Sequence, residues 1–217
     1  MPMPATYPAM RKSRLQTTLC QRIEYPASRL NTGVDTNGYT LDYVCRDDAP
    51  LLRLWRRDLY SGRVMPAVDE AEHYIAEASF ANSFILRYLD FPLMRLDICD
   101  AFQMMEFDEY YEAAAGDFSL NLVIPRLKHP ALPLLQEGLS ICLGWFFSFE
   151  EVKRLVSPFI QEEAICRKLL SLSGFQQMRR PYVLPVSTPG RHWAQLSKAS
   201  FIQNKHLSGS VFNPSVV

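Results

Sequence analysis

The sequence predicts a mixed α/β fold, a central sheet of parallel and antiparallel strands with helices on both faces. Three observations carry that expectation. The apolar pattern switches repeatedly between a period near two and a period near 3.6, the signatures of strands and of amphipathic helices. The resulting order is strand, two helices, antiparallel meander, helix, strand, helix, strand, an interleaving that places helices on both sides of one sheet. Finally, 48% of the 217 residues are apolar, and a chain of this size buries roughly 70% of its unfolded surface.

Residues 1–35 lack periodicity and read as an N-terminal arm or an added edge element. Their basic cluster, Arg11, Lys12 and Arg14, is a solvated face or a phosphate contact, and Asn31-Thr32-Gly33 and Asn37-Gly38 mark turns. Residues 36–190 form the main domain, and 191–217 a C-terminal extension. Tyr39 to Val44 alternates as a strand. Asp47-Asp48-Ala49-Pro50 then offers N-terminal acids and a proline suited to a first helical turn. Leu51, Leu52, Leu54 and Trp55 supply that helix's apolar stripe, and a second amphipathic segment covers about Asp69 to Ala78, with His73 toward water.

Ser83 to Leu89 and Leu93 to Cys99 read as a hairpin joined through Asp90-Phe91-Pro92. After the acidic, aromatic stretch Glu106 to Glu112, Phe118 to Ile124 is a third strand. A proline-bearing turn, Pro125 to Pro133, precedes a helix through Leu134, Leu135, Leu139 and Cys142. Phe146-Phe147 and Val152 to Val156 lead into another strand. Glu162 to Ser173 is a helix stopped by Gly174, and Arg180 to Val186 a final strand.

Basic and acidic side chains balance at 23 each, so no overall field gathers nucleic acid or anionic membrane, and neither is an expected partner. No run of apolar residues is long enough to span a bilayer. The five cysteines are widely spaced, without C-x-x-C pairs or histidines at zinc-ligand spacing. Free buried thiols in the cytoplasm are therefore expected, with no metal site. Cys99 and Cys142 fall at core positions, as do Trp55 and Trp145. Neither G-x-S-x-G nor a phosphate-binding P-loop occurs.

From Tyr39 to Pro185 the ordered landmarks resemble the GNAT superfamily of acyl-CoA N-acyltransferases, and within it the siderophore-biosynthesis branch that acetylates a hydroxylated lysine side chain. The landmarks are Leu54-Trp55-Arg56-Arg57-Asp58, the strand Leu93 to Cys99, and Gly116 to Leu122 over the pattern D-x-G-x-H-L. Val152 to Pro158 overlays a strand ending in Glu-Pro, and Leu169 to Phe175 a late helix closed by Gly-Phe. The resemblance implies a GNAT-like fold with acetyl-CoA or another acyl-CoA as co-substrate. It implies a slot where two strands part beside Val123. There the main chain of Leu122, Val123 and Ile124 would hold the pantetheine and Arg126, Lys128 and His129 would meet the phosphates. Asp117 and Asn121, with Asp97 nearby, would face a small amine or hydroxylamine.

The departures lie at the reacting end and at the phosphates. The family's glycine-rich turn brings backbone N–H groups close to the pyrophosphate. Here His129 and Ala131 occupy the glycine positions, and Pro130 and Pro133 lack N–H donors. Asn121 stands where the branch has histidine and Ser119 where it has glycine, and no His-Lys pair follows Gly174. Asn121 holds a carbonyl but accepts no proton at neutral pH. Asp97 and Asp117 read either as groups serving catalysis or as ordinary strand-end and turn acids. Two functions follow: a CoA-dependent N-acyltransferase, or a catalytically inactive GNAT-fold binding or assembly module acting through a homodimer.

Overall fold

Two tight hairpins begin the sheet. β1 (Asn31–Thr36) and β2 (Tyr39–Tyr43) turn at Asn37-Gly38, with φ of 52° and 80°. Asparagine and glycine are the residues that tolerate this left-handed geometry. β3 (Asn82–Tyr88) and β4 (Phe91–Asp100) turn at Leu89-Asp90, also left-handed at 47° and 64°. The connection therefore sits one residue earlier than Asp90-Phe91-Pro92. Leucine is a poor choice for positive φ, and a non-local bond holds it, Leu89 N–H donating to the Gly38 carbonyl of the neighbouring turn at 2.8 Å. The computed structural model describes residues 31–59, 82–101, 113–125, 131–160, 164–178 and 191–207. The sequence-predicted helix at Asp69 to Ala78, the Glu106 to Glu112 stretch and the strand Arg180 to Val186 lie outside them.

α1 (Ala49–Leu59) follows a short 3-10 turn, Arg46–Asp48. β5 (Asp117–Val123) lies antiparallel to β4, and α2 (Leu132–Ser148) crosses over to β6 (Arg154–Ile160), which runs parallel to β5. α3 (Ala164–Leu172), β7 (Gln176–Gln177), β8 (Arg191–Ser197) and α4 (Lys198–Leu207) complete the described elements. The strand order is β1-β2-β3-β4-β5-β6-β8-β7. Residues 191–207, expected as an extension, thus insert a strand between β6 and β7. The short Arg191–Ser197 run carries no turn signal joining it to β6, so its place was not readable locally. Phe146 and Phe147, expected to lead into a strand, close the last turn of α2 and are buried. Pro133 falls inside the first turn of α2, where a missing N–H costs little.

Helices cover both faces. α2, α3 and α4 pack Leu139, Cys142, Phe146, Leu169, Leu170 and Phe201 with Leu96, Ile98, Leu120 and Leu122 of the sheet. On the other face α1 sets Leu52 and Trp55 over Val44 and Ile85, with Val123 beside them. Cys142 is buried, and burial pushes its thiol pKa up. Cys99 is only half-buried, against expectation, because its position in β4 faces the α1 side. No helix among the described residues is long and apolar enough to cross a membrane.

α2 approaches the sheet closely at Gly138. A Cβ there would lie 2.6 Å from Leu86 Cδ2 and 2.9 Å from Tyr39 Cε1. Beside it, Tyr39 Oη donates toward the Leu134 carbonyl and Glu137 Oε2, at 3.1 and 3.2 Å. Burial first, and Glu137 second, push the phenol pKa above its ordinary 10.0. The stabilisation from that shift is complete below pH 10.0 and declines only as pH rises past it. Gly138→Ala overpacks this contact. Its expected cost is about 1–3 kcal/mol, read as a lower midpoint in urea with an unchanged slope.

Under the start of α1 lies a buried charge cluster. Arg87 Nη2 donates to Asp48 Oδ1 at 2.6 Å, and Arg87 Nε stands 3.2 Å from Asp42 Oδ2 at an angle that makes an ion contact rather than a hydrogen bond. Asp48 Oδ2 accepts the Cys45 N–H at 3.0 Å, while the Asp48 N–H returns to the Cys45 carbonyl. The side-chain bond is one half of a capping box, and the main-chain bond is the 3-10 turn's own. Asp48, one of the two acids the sequence marks before the helix, thus bonds back to Cys45.

Candidate active site

β5 keeps its pairing with β4 from Phe118 to Val123, ending at Arg95 opposite Val123. Its pairing with β6 is much shorter. Only Asp117, Ser119 and the Phe118 between them find partners, in Arg154, Val156 and Leu155. Among the described residues, β6 from Ser157 onward pairs with β8 alone. The two parallel strands therefore part after Ser119 and Val156, and Leu120 to Val123 border the opening on one side. Every second residue of a strand turns its N–H and C=O to a given neighbour, so this stretch of β5 presents main-chain groups to the opening. Pro158 lies on the far bank, where one side of β6 is unpaired among the described residues. Strand prolines belong in such places.

Side chains sort by alternation along β5. Leu120 and Leu122 enter the core with α2, as does Ile124 just beyond the strand, while Ser119, Asn121 and Val123 face the α1 side. On that side a polar hub surrounds Asp97. Its Oδ1 accepts from Ser83 Oγ at 2.6 Å. Its Oδ2 accepts from Arg95 Nη2 at 2.8 Å, Arg95 Nε at 3.2 Å and Asn121 Nδ2 at 3.3 Å. Cross-strand register makes the cluster, since Ser83 and Asn121 both stand opposite Asp97. The hub is partly accessible, with Arg95 at 21% and Asp97 at 12% side-chain exposure.

Asp117 is elsewhere. It lies four residues down β5 from Asn121, about 13 Å along a strand, and is clasped by Arg154 through Nε to Oδ1 at 2.8 Å and Nη2 to Oδ2 at 2.6 Å. Its Oδ2 also accepts the Ala114 N–H at 2.7 Å. The structure thus brings Asp97 to Asn121 but leaves Asp117 apart from both, locking the paired end of β5 and β6. Leu122, Val123 and Ile124 stand at the parting. Arg126, Lys128 and His129 lie outside the described residues. At the start of α2 the Leu134 and Leu135 N–H groups both turn back to the Ala131 carbonyl, and Ala131 makes no side-chain cap.

Ser83 and Arg95 are site residues that sequence reasoning passed over, although hairpin register and the Arg95-x-Asp97 spacing were signals for them. Arg154 had none, because its partnership with Asp117 exists only through a parallel crossover.

No protein-family model matches the chain, and no curated protein sequence does either. Solved structures do. An uncharacterized protein from Bacillus halodurans superposes with a TM-score of 0.66 at 13% identity, over 82% of this chain and 94% of its own. The aminoglycoside acetyltransferase AAC(6')-Ib, solved with coenzyme A, gives 0.62 at 15% identity over 77% of this chain and 99% of its own. The fold is that of the GNAT acetyltransferases. A ribosomal-protein-S5-alanine acetyltransferase from Vibrio fischeri shares the GNAT fold with a TM-score of 0.54 at 10% identity, over 79% of this chain and 98% of its own. At these identities the likeness is one of chain path. Within that path, the chain's own parting strands and Asp97 hub define the candidate site.

Proposed function

We propose that the protein is an acyl-CoA-dependent N-acyltransferase, in the first instance an acetyltransferase, acting on a small amine or hydroxylamine. One observation carries the reading: parallel strands that pair at one end and part after Ser119 and Val156, beside a polar hub. An extended chain of amide groups, such as pantetheine, can complete a strand edge with main-chain hydrogen bonds, and Leu122, Val123 and Ile124 are placed to offer them. Arg126, Lys128 and His129 would supply phosphate contacts through side chains, in place of glycine N–H groups, at the positive end of the α2 dipole.

The chemistry asked of the chain is modest. A neutral amine nitrogen attacks the thioester carbon, the C–S bond breaks, and the nitrogen's proton ends on the departing thiolate, through water or a side chain. Asn121 is suited to hold the amine and not to take its proton. A hydroxylated lysine as acceptor is the finer form of this proposal; it rests on the sequence landmarks Leu54 to Asp58, Leu93 to Cys99 and Gly116 to Leu122. Buried thiols at Cys45 and Cys142, in no disulfide, favour the cytoplasm.

Titration calorimetry of the full chain with acetyl-CoA is the test. The expected result is saturable heat with a dissociation constant of about 1–100 μM, corresponding to roughly 5–8 kcal/mol. No heat at millimolar ligand removes the transferase reading. A second reading, a non-catalytic module working as a homodimer, is favoured by the thin donor set at the start of α2, where Pro133 offers no N–H and the Leu134 N–H turns back to the Ala131 carbonyl.

A further inference from the structure

Asp97 accepts four hydrogen bonds from three residues, and that saturation decides which way the Asn121 amide points. A carboxylate only accepts, so the amide must present Nδ2 to it; the reversed amide would set two acceptors face to face. Asp97 lies on the β4 side of Asn121. The carbonyl end, Oδ1, is therefore directed away from β4, on the side where β5 has lost β6. Arg95 neutralises the charge of Asp97 through two N–H groups on one oxygen, and Ser83 fixes the other oxygen.

We propose that Asp97 is a positioning residue that holds Asn121 Oδ1 toward the acyl acceptor, where it accepts a hydrogen bond from the attacking N–H group, with Ser83 and Arg95 steadying Asp97. The proposal rests on the acyl-transfer reading. It gives the site a defined preference: a hydrogen-bond acceptor meets the incoming nitrogen, so the nucleophile must keep an N–H besides its lone pair. Primary amines and hydroxylamines satisfy this, and tertiary amines do not. The proton lost after attack ends on the departing thiolate by way of water, and not on Asn121, since a neutral amide is no base at ordinary pH.

A double-mutant cycle on the full chain tests the coupling. Thiol release from acetyl-CoA is followed with the best acceptor among hydroxylamine, ethanolamine, spermidine and kanamycin. Asn121→Ala is expected to lower kcat about 100-fold and Asp97→Ala about 10-fold, with acetyl-CoA affinity unchanged, and the double variant to be no slower than Asn121→Ala alone. In parallel, the Asn121 side-chain amide resonances of the wild type should be shifted and slow to exchange, and should lose both properties in Asp97→Ala. Multiplicative losses, an unaffected amide signal in Asp97→Ala, or acetyl-CoA binding with no turnover of any of the four amines would each overturn the proposal. Absence of acetyl-CoA heat in the wild type would instead remove the transferase reading beneath it.

Discussion

Arg87→Met is expected to cost about 4 kcal/mol and to lower the melting temperature by roughly 8–16 °C in a protein of this size. The cause is electrostatic. Methionine replaces the volume of the arginine stem but removes the Arg87 charge from beside Asp42 and Asp48, which are at 4% and 7% side-chain exposure. Two carboxylates withdrawn from water in that way repel each other and lose solvation together. Arg87→Lys should fall between the two, because an ammonium keeps the charge but not the fork that reaches both acids. Replacing all three groups at once, with Asp42→Asn and Asp48→Asn added to Arg87→Met, should recover part of the loss. Scanning calorimetry of the four proteins decides it, and a melting temperature for Arg87→Met within about 2 °C of wild type would contradict the argument.

Asp117→Asn should also destabilise, by about 3 kcal/mol, and should do so without slowing the chemistry. The side chain is 3% exposed and clasped through both oxygens, whereas Arg154 keeps 29% exposure and remains partly solvated when its partner is neutralised. That asymmetry sets the estimate below the Arg87 value. If the carboxylate served the acceptor instead, kcat of the folded variant would fall by orders of magnitude while stability changed little. Denaturant midpoints and single-turnover rates on the same preparation separate the two outcomes. The expected result is a lower midpoint and a turnover within about threefold of wild type.

Asp97 and Asp117 show what was legible in the chain. Strand alternation identified Ser83 to Leu89, Leu93 to Cys99 and Phe118 to Ile124, and hairpin register bears on Ser83 opposite Asp97, whereas Asp97 meets Asn121 across β4 and β5, whose long connection fixes no register locally. The helix starting after Asp48 was readable because its acid and proline signals are contiguous. Asp117 was legible as an acid at a strand start, but its role was not, since Arg154 reaches it through a parallel crossover across the whole of α2. β8 was missed for a similar reason: its partners in β6 lie beyond α3, and Arg191 to Ser197 carries only weak alternation. Leu89 failed in the opposite sense. Its side chain argues against a left-handed turn, and only a bond from the adjacent hairpin overrides that preference.

Three rows of partners, from Asp117 with Arg154 to Ser119 with Val156, stitch the antiparallel leaf of β1 to β5 onto the ribbon of β6, β8 and β7. A stitch so short works as the spine of a half-open book, with the Asp117–Arg154 clasp at its foot. The thickness of whatever is slipped between the pages is then set by the spread of the main chain, and swapping side chains along the margins would retune grip without changing that gauge.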